Sequence, residues 1–265
     1  MILRFQAVKK SISKCKIDPE HKIKHCSPII KTPYSTNSNS TCDTIFKETH
    51  PIEIQKCFDI ERNACILVPI LKLQKEITDD MRVVIVDWLM MVASKIRICR
   101  NTFLHAIHIM DKYLSLASIC KKDFQAISVT CLLIACKFNE TECPSINNLT
   151  QYIGNSHSRE SIIEWEQTIM KMIGFRIGLP LYDVFVEYYG RQYWFDHDKC
   201  YYYLYWISLV SELSVICTSL KVRLSISMIL PEAFSDDLTQ YRQNMENIMN
   251  KNTGRLCKSI EEIYK

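Results

Sequence analysis

Residues 124–138, FQAISVTCLLIACKF, are apolar at almost every position. A helix made from such a run has no side to turn to water, so neighbouring elements must bury it on most sides. The rest of the chain supplies helices rather than sheets for this task. Only 5 of 265 residues are Gly, roughly 2% against a usual value of about 7%. A chain so poor in Gly has few left-handed turns, little hairpin punctuation and no Gly-rich phosphate loop. A mostly helical protein with short connections is expected, and a nucleotide-cradling α/β enzyme is not.

Thirteen cysteines form an odd set without any Cys-x-x-Cys pair, so neither a disulfide framework nor a zinc ribbon is readable. They read as reduced, mostly buried small side chains of an intracellular protein. The N-terminal residues lack a signal-peptide core, and no stretch reaches about 18 consecutive apolar residues, so a membrane span is not expected. The net charge of +4 is mild and does not argue for nucleic-acid binding.

Three regions differ in texture. Residues 1–47 are rich in Lys, Ser, Thr and Asn and read as a disordered arm, in which Ser27-Pro28 and Thr32-Pro33 are candidate sites for a proline-directed kinase. From about 50 to 180 the periodicity is helical. The first helix, near 79–98, follows Thr78, Asp79 and Asp80. It carries one apolar stripe at Met81, Val84, Ile85, Trp88, Leu89 and Val92 and a second at Val83, Val86, Met90 and Ala93. The second opens at Asn101, the third is the apolar run beginning at Asp123, a short fourth follows Pro144, and a fifth spans about 158–175. Beyond Leu179-Pro180, SISMILPEAF at 225–234 echoes SVTCLLIACKF at 128–138, and 202–215 echoes FLHAIHIMDKYLSL. Similar offsets in both pairs predict two copies of one helical domain.

No Ser-His-Asp arrangement, paired-carboxylate motif or P-loop is present. His105 and His108 lie one helical turn apart without a third ligand and read as partly exposed helix residues, while Cys131 and Cys136 read as packing. No cofactor or metal is expected. More informative are charges set in apolar runs: Arg82, Asp87, Asp111, Lys137 and Glu166. Buried alone, each would cost several kcal/mol, so partners are required.

MRVVIVDWLMMV at 81–92, HIMDKYLSL at 108–116, ACKFNE at 135–140 and a Glu in a helix ending MIGF at 172–175 together resemble the cyclin box. The likeness is greatest to the mitotic A- and B-type cyclins, a viral or divergent member included, and covers about residues 50–235. It implies an all-α fold of two tandem five-helix boxes, with the first and its preceding helix at 48–178. The second, at 179–265, is expected to be shortened. It implies a non-catalytic regulatory subunit that binds and activates a cyclin-dependent kinase in cell-cycle progression, in nucleus and cytoplasm (of a host cell if viral), with no nucleic acid or membrane as partner. Arg82 and Asp111 resemble the family's buried ion pair. Lys137 and Glu166 resemble its kinase anchors, flanked by Phe138, Glu140, Arg159 and Phe175. Met81, Val84, Ile85, Trp88 and Gln125, with Phe124 where an aliphatic residue is usual, match the groove that docks Arg-x-Leu peptides of substrates or inhibitors.

The chain departs from the family pattern at Asn139, where an acid is usual, and at Met91, where A-type cyclins carry an acid that meets the peptide Arg. The arm holds neither an Arg-x-x-Leu nor a Lys-Glu-Asn destruction motif. The alternatives are a transcriptional cyclin, a viral mimic that deregulates a host kinase, and a factor IIB-like transcription factor. The last should carry a zinc ribbon and a strongly basic surface, and neither is found.

Overall fold

The computed structural model describes residues 51–64, 66, 68–153, 157–234 and 238–251. The arm with Ser27 and Thr32 lies outside the described residues. Ten α-helices are found among them, and no strand. They are α1 (Pro51–Ala64), α2 (Asp79–Lys95), α3 (Arg100–Leu116), α4 (Phe124–Asn139), α5 (Ile146–Thr150), α6 (Arg159–Met172), α7 (Tyr182–Gly190), α8 (His197–Leu209), α9 (Thr218–Ile229) and α10 (Thr239–Lys251). Two short 3₁₀ segments, Lys121–Asp123 and Ser211–Val215, precede α4 and α9.

Side-chain caps set several of these starts. Thr78 accepts from the Met81 amide ahead of α2, Ser158 from Ser161 ahead of α6, and Asp196 from Asp198 and Lys199 ahead of α8. Asp79 and Asp80, expected with Thr78 as caps, lie in the first turn of α2, where their charge favours the positive end of the helix.

The apolar run forms α4 and is the centre of the first set of helices. Twelve of its side chains, from Phe124 to Cys136, are buried, and α2, α3, α5 and α6 pack around it, α3 most extensively. A second set is built on α8 and α9, which pack on each other as α3 packs on α4, with α7 and α10 against α9. The first helix, α1, sits against this second set. Its Phe58 ring meets Phe185 and Tyr188, and its buried Glu61 takes hydrogen bonds from the backbone and hydroxyl of Ser219, both at 2.6 Å, in the first turn of α9.

The echo between the halves is looser than the sequence alignment implies. The segment aligned at 202–215 leaves the α-helix at Leu209 and turns into the 3₁₀ segment. The segment at 225–234 leaves α9 at Ile229, because Pro231 has no amide to continue the ladder and disfavours helix at the residue before it. The fifth helix of the first set also stops early. Expected to reach Phe175, α6 ends at Met172, and Gly174 and Phe175 follow with φ of +67° and +58°.

Candidate functional site

The two apolar stripes of α2 divide differently from the sequence reading. Leu89 and Val92, grouped with the outer stripe, are buried together with Val86, Met90 and Ala93. The outer side keeps Met81, Ile85 and Trp88 half-buried and Val84 55% exposed. Phe124, expected beside them in an exposed groove, is buried at 2% exposure. The first residue of α4, it joins the hydrophobic core, and Gln125 is left half-buried beside it.

Arg82 and Asp111 meet across α2 and α3. Nε donates to Asp111 Oδ1 at 2.9 Å and Nη2 to Oδ2 at 2.7 Å, with both side chains almost wholly buried, at 1% and 2% exposure. Two of the three remaining guanidinium hydrogens go to the carbonyls of Ser208 and Leu209 at 3.0 and 3.2 Å, at the end of α8. The pair therefore satisfies orphan carbonyls of a helix in the other set as well as itself. That reach across the halves is not readable from one sequence. Desolvation opposes the Arg82 charge, but the Asp111 carboxylate, together with Asp79 and Glu212, holds its pKa above the ordinary value.

The second pair lies at the surface. Lys137 Nζ, in the last turn of α4, is 2.6 and 2.7 Å from the two carboxylate oxygens of Glu166 on α6. The side chains are 47% and 21% exposed. The same two helices and the turn after α6 also carry outward apolar groups: Phe138, next to Lys137 in the chain, at 50% exposure, Met172 at the end of α6 at 47% and Phe175 at 65%. Phe175 holds this position in a left-handed backbone conformation that a bulky residue adopts at a cost of order 1 kcal/mol or more. An outward aromatic on a strained residue near a solvent-reachable ion pair fits a contact surface better than a packing role. Arg159 is exposed in the first turn of α6, and the pair itself is made by Lys137 and Glu166. Glu140 caps the start of α3 instead, accepting from the Cys99 amide at 3.0 Å.

His105 supports this face from below, a role that its sequence reading as a partly exposed residue missed. It is buried at 2% exposure. Its Nε2 lies 2.8 Å from the Ile177 carbonyl and its Nδ1 2.9 Å from Asn139 Nδ2. The carbonyl can only accept, so Nε2 carries the proton and Nδ1 accepts from Asn139. Burial lowers the His105 pKa, which agrees with this neutral ring. The ring also packs edge-on against Phe138, with centroids 5.7 Å apart. One imidazole thus fastens the end of α4 to the connection after α6. The departure at Asn139 has a local reason: an amide there donates to a neutral His, which a carboxylate could not.

His108, one turn on, is half-buried by its neighbours in the seam between the two sets, and burial, with Lys221 beside it, lowers its pKa well below normal. Cys131 and Cys136 are buried in α4, and burial pushes the Cys136 thiol up to about 12, far from a nucleophile's range. Among the described residues no group of three His, Cys, Asp or Glu is placed to hold a metal ion. No helix among them is long and apolar enough to cross a membrane.

The family model described as the cyclin N-terminal domain matches residues 53–178, a span that holds α2 to α6 and every residue of the two ion pairs. Over 106 residues the chain is 31% identical to the G2/mitotic-specific cyclin-B2 of Oryzias latipes, covering 40% of this chain and 27% of that protein. It is 36% identical over 107 residues to the G2/mitotic-specific cyclin-B2 of Mesocricetus auratus, again 40% and 27% of the two chains. The matched part is thus about a quarter of these relatives' length. In fold it is similar to a viral cyclin from herpesvirus saimiri, with a TM-score of 0.57 at 16% identity, over 79% of this chain and 96% of that one. With these matches and an all-α architecture centred on α4, residues 53–178 form a domain of the cyclin family.

Proposed function

We propose that the chain is a regulatory subunit that binds a cyclin-dependent kinase and activates it in cell-cycle progression, without chemistry of its own. The observation that carries this reading is the surface formed by Lys137, Glu166, Phe138 and Phe175. There a preformed ion pair shares its helices and the turn after them with outward-facing apolar groups, within the span that matches the cyclin N-terminal domain.

Kinase catalysis requires the strand Lys paired with the regulatory-helix Glu and a metal-binding Asp in place, all set by the position of that helix. A protein that binds only the inward position shifts the kinase toward its active state by the difference in its affinity for the two states. Lys137 and Glu166 would each turn hydrogen-bonding groups to backbone atoms beside the helix, and Phe138 and Phe175 would bury apolar surface around them. The pair is already joined in the free chain, so little side-chain ordering is left for binding to supply.

In this reading α7–α10 form a second box that braces the first, and the chain works in nucleus and cytoplasm. The outer side of α2, with Met81, Val84, Ile85, Trp88 and Gln125, is a separate proposal as a site for Arg-x-Leu segments. With Phe124 withdrawn into the core it would offer a shallower floor.

The test is a pull-down against a panel of cyclin-dependent kinases, with histone-kinase activity measured on whatever is retained. Retention and activation of a cell-cycle kinase support the reading. Retention of a transcriptional kinase alone moves the chain to the transcriptional cyclins, and no kinase retained rejects it.

A further inference from the structure

Phe138 is half-exposed, and two groups hold its inner edge. Its ring meets the His105 imidazole edge-on, with centroids 5.7 Å apart, and its Cζ lies 3.7 Å from where a Cβ on Gly178 would stand. The connection after α6 that carries Phe175 therefore also packs on Phe138. This connection is tied at two points. The Phe175 amide donates to the Met170 carbonyl at 2.9 Å, which fixes it to α6, and the Ile177 carbonyl accepts from His105 Nε2 at 2.8 Å, which fixes it to α3. Asn139 Nδ2, 2.9 Å from Nδ1, fastens the end of α4 to the same ring.

Both hydrogen bonds to the ring exist in one protonation state only. Neutral, with its proton on Nε2, the ring donates to Ile177 and accepts from Asn139. A second proton turns Nδ1 into a donor, which then faces the donor hydrogens of the Asn139 amide. At 2% exposure the ring has little water to replace the lost bond. The ionisable groups on the surrounding elements do not compensate. His108, one turn on along α3, is kept neutral by burial, and Cys136 on α4 stays a thiol. Lys137 is paired with Glu166 on α6, and Glu140 accepts from the Cys99 amide. Arg176 is exposed in the connection, and Asp183 of α7 meets Asn101, one turn before His105, through its amide. The hydrogen bonds of the ring go to Ile177 and Asn139 and to none of these.

We propose that His105 is a positioning residue for this face: its neutral ring, bonded to Asn139 and Ile177, seats Phe138 and the connection bearing Phe175 in the arrangement a kinase would meet, and protonation releases them. The consequence for kinase binding rests on the function proposed above, but the lock itself is tested on the free chain.

The full chain, prepared with para-fluorophenylalanine and isotope-labelled histidine, is titrated by NMR from about pH 7.5 to about pH 5, with signals assigned by single substitutions. His105 should titrate with a midpoint below the ordinary 6.5, and the Phe138 and Phe175 signals should move with that midpoint. In His105→Gln, which keeps a donor for Ile177 and does not titrate, both signals should stay still. If that variant does not fold, Asn139→Asp supplies the test. Its carboxylate accepts from the protonated ring, so the His105 midpoint should rise and Phe138 should stay seated in the charged state. Kinase affinity should fall severalfold more at low pH in the wild type than in His105→Gln. A His105 midpoint that Phe138 does not follow would show that Asn139 turns its amide over and the lock survives, which overturns the proposal. So would a ring that takes up no proton above about pH 5, or an Asn139→Asp midpoint equal to that of the wild type. A chain that passes the free-chain tests and binds no kinase at any pH rejects the kinase reading and not the lock.

Discussion

The seam between the helical sets and the face formed by α4 and α6 each contain one ion pair of similar geometry, and the two pairs do opposite work. Arg82–Asp111 is almost wholly buried, and two further guanidinium hydrogens go to α8 carbonyls, so its work is done inside the molecule. Lys137–Glu166 is joined as closely but stays reachable from solvent, on helices that also carry the outward apolar groups Phe138 and Met172. Burial rather than bond length distinguishes them. A buried pair is costly to break because the survivor is stranded, whereas an exposed pair adds little to stability and keeps hydrogen-bonding capacity for a partner.

Asp111→Ala should break the comparison most strongly. Arg82 would be left buried with its carboxylate gone, at a cost of about 3–5 kcal/mol in urea denaturation. Phe138→Ala should act in the other sense, weakening kinase binding by about 2 kcal/mol in titration calorimetry while the denaturation midpoint stays nearly fixed, because the ring is half-exposed. Glu61→Ala should cost about 1–2 kcal/mol of stability by freeing the first turn of α9, with no local loss at the α4–α6 face.

The smallest effect is on pH dependence. Burial lowers the pKa of His105 and His108 below the ordinary 6.5, so between their folded and unfolded values the unfolded chain binds more protons. Their contribution is complete above about 6.5 and is lost as the pH falls toward the folded values. Glu61, its pKa raised by burial, acts oppositely as pH rises above 4.5. His105→Asn should therefore flatten the loss of Tm between about pH 7 and pH 5.5, and an unaltered slope would remove His105 from this account.

Much of the first set was legible because its signals are local. Apolar runs, Thr and Ser caps and the Pro breaks are written in consecutive residues, and the helix starts fall within a residue or two of expectation. The charges in apolar runs announced a need for partners, and the structure joins Arg82 to Asp111 and Lys137 to Glu166. What escaped depends on contacts distant along the chain. Neither the use of Arg82 on α8, nor Glu61 at α9, nor His105 bridging Asn139 and Ile177 has a local signature. Phe124 was misplaced because an aromatic at a helix start is equally compatible with a groove floor and with a core, and only tertiary packing decides.

The most direct test of the central claim is to measure kinase affinity and urea stability together for the Lys137→Ala/Glu166→Ala double variant. Removing both partners strands neither charge, so the denaturation midpoint should move by less than about 1 kcal/mol in stability. Kinase affinity should fall about 30-fold or more, with activation lost in parallel. Wild-type affinity and activation in a folded double variant would contradict the assignment of this face to the kinase.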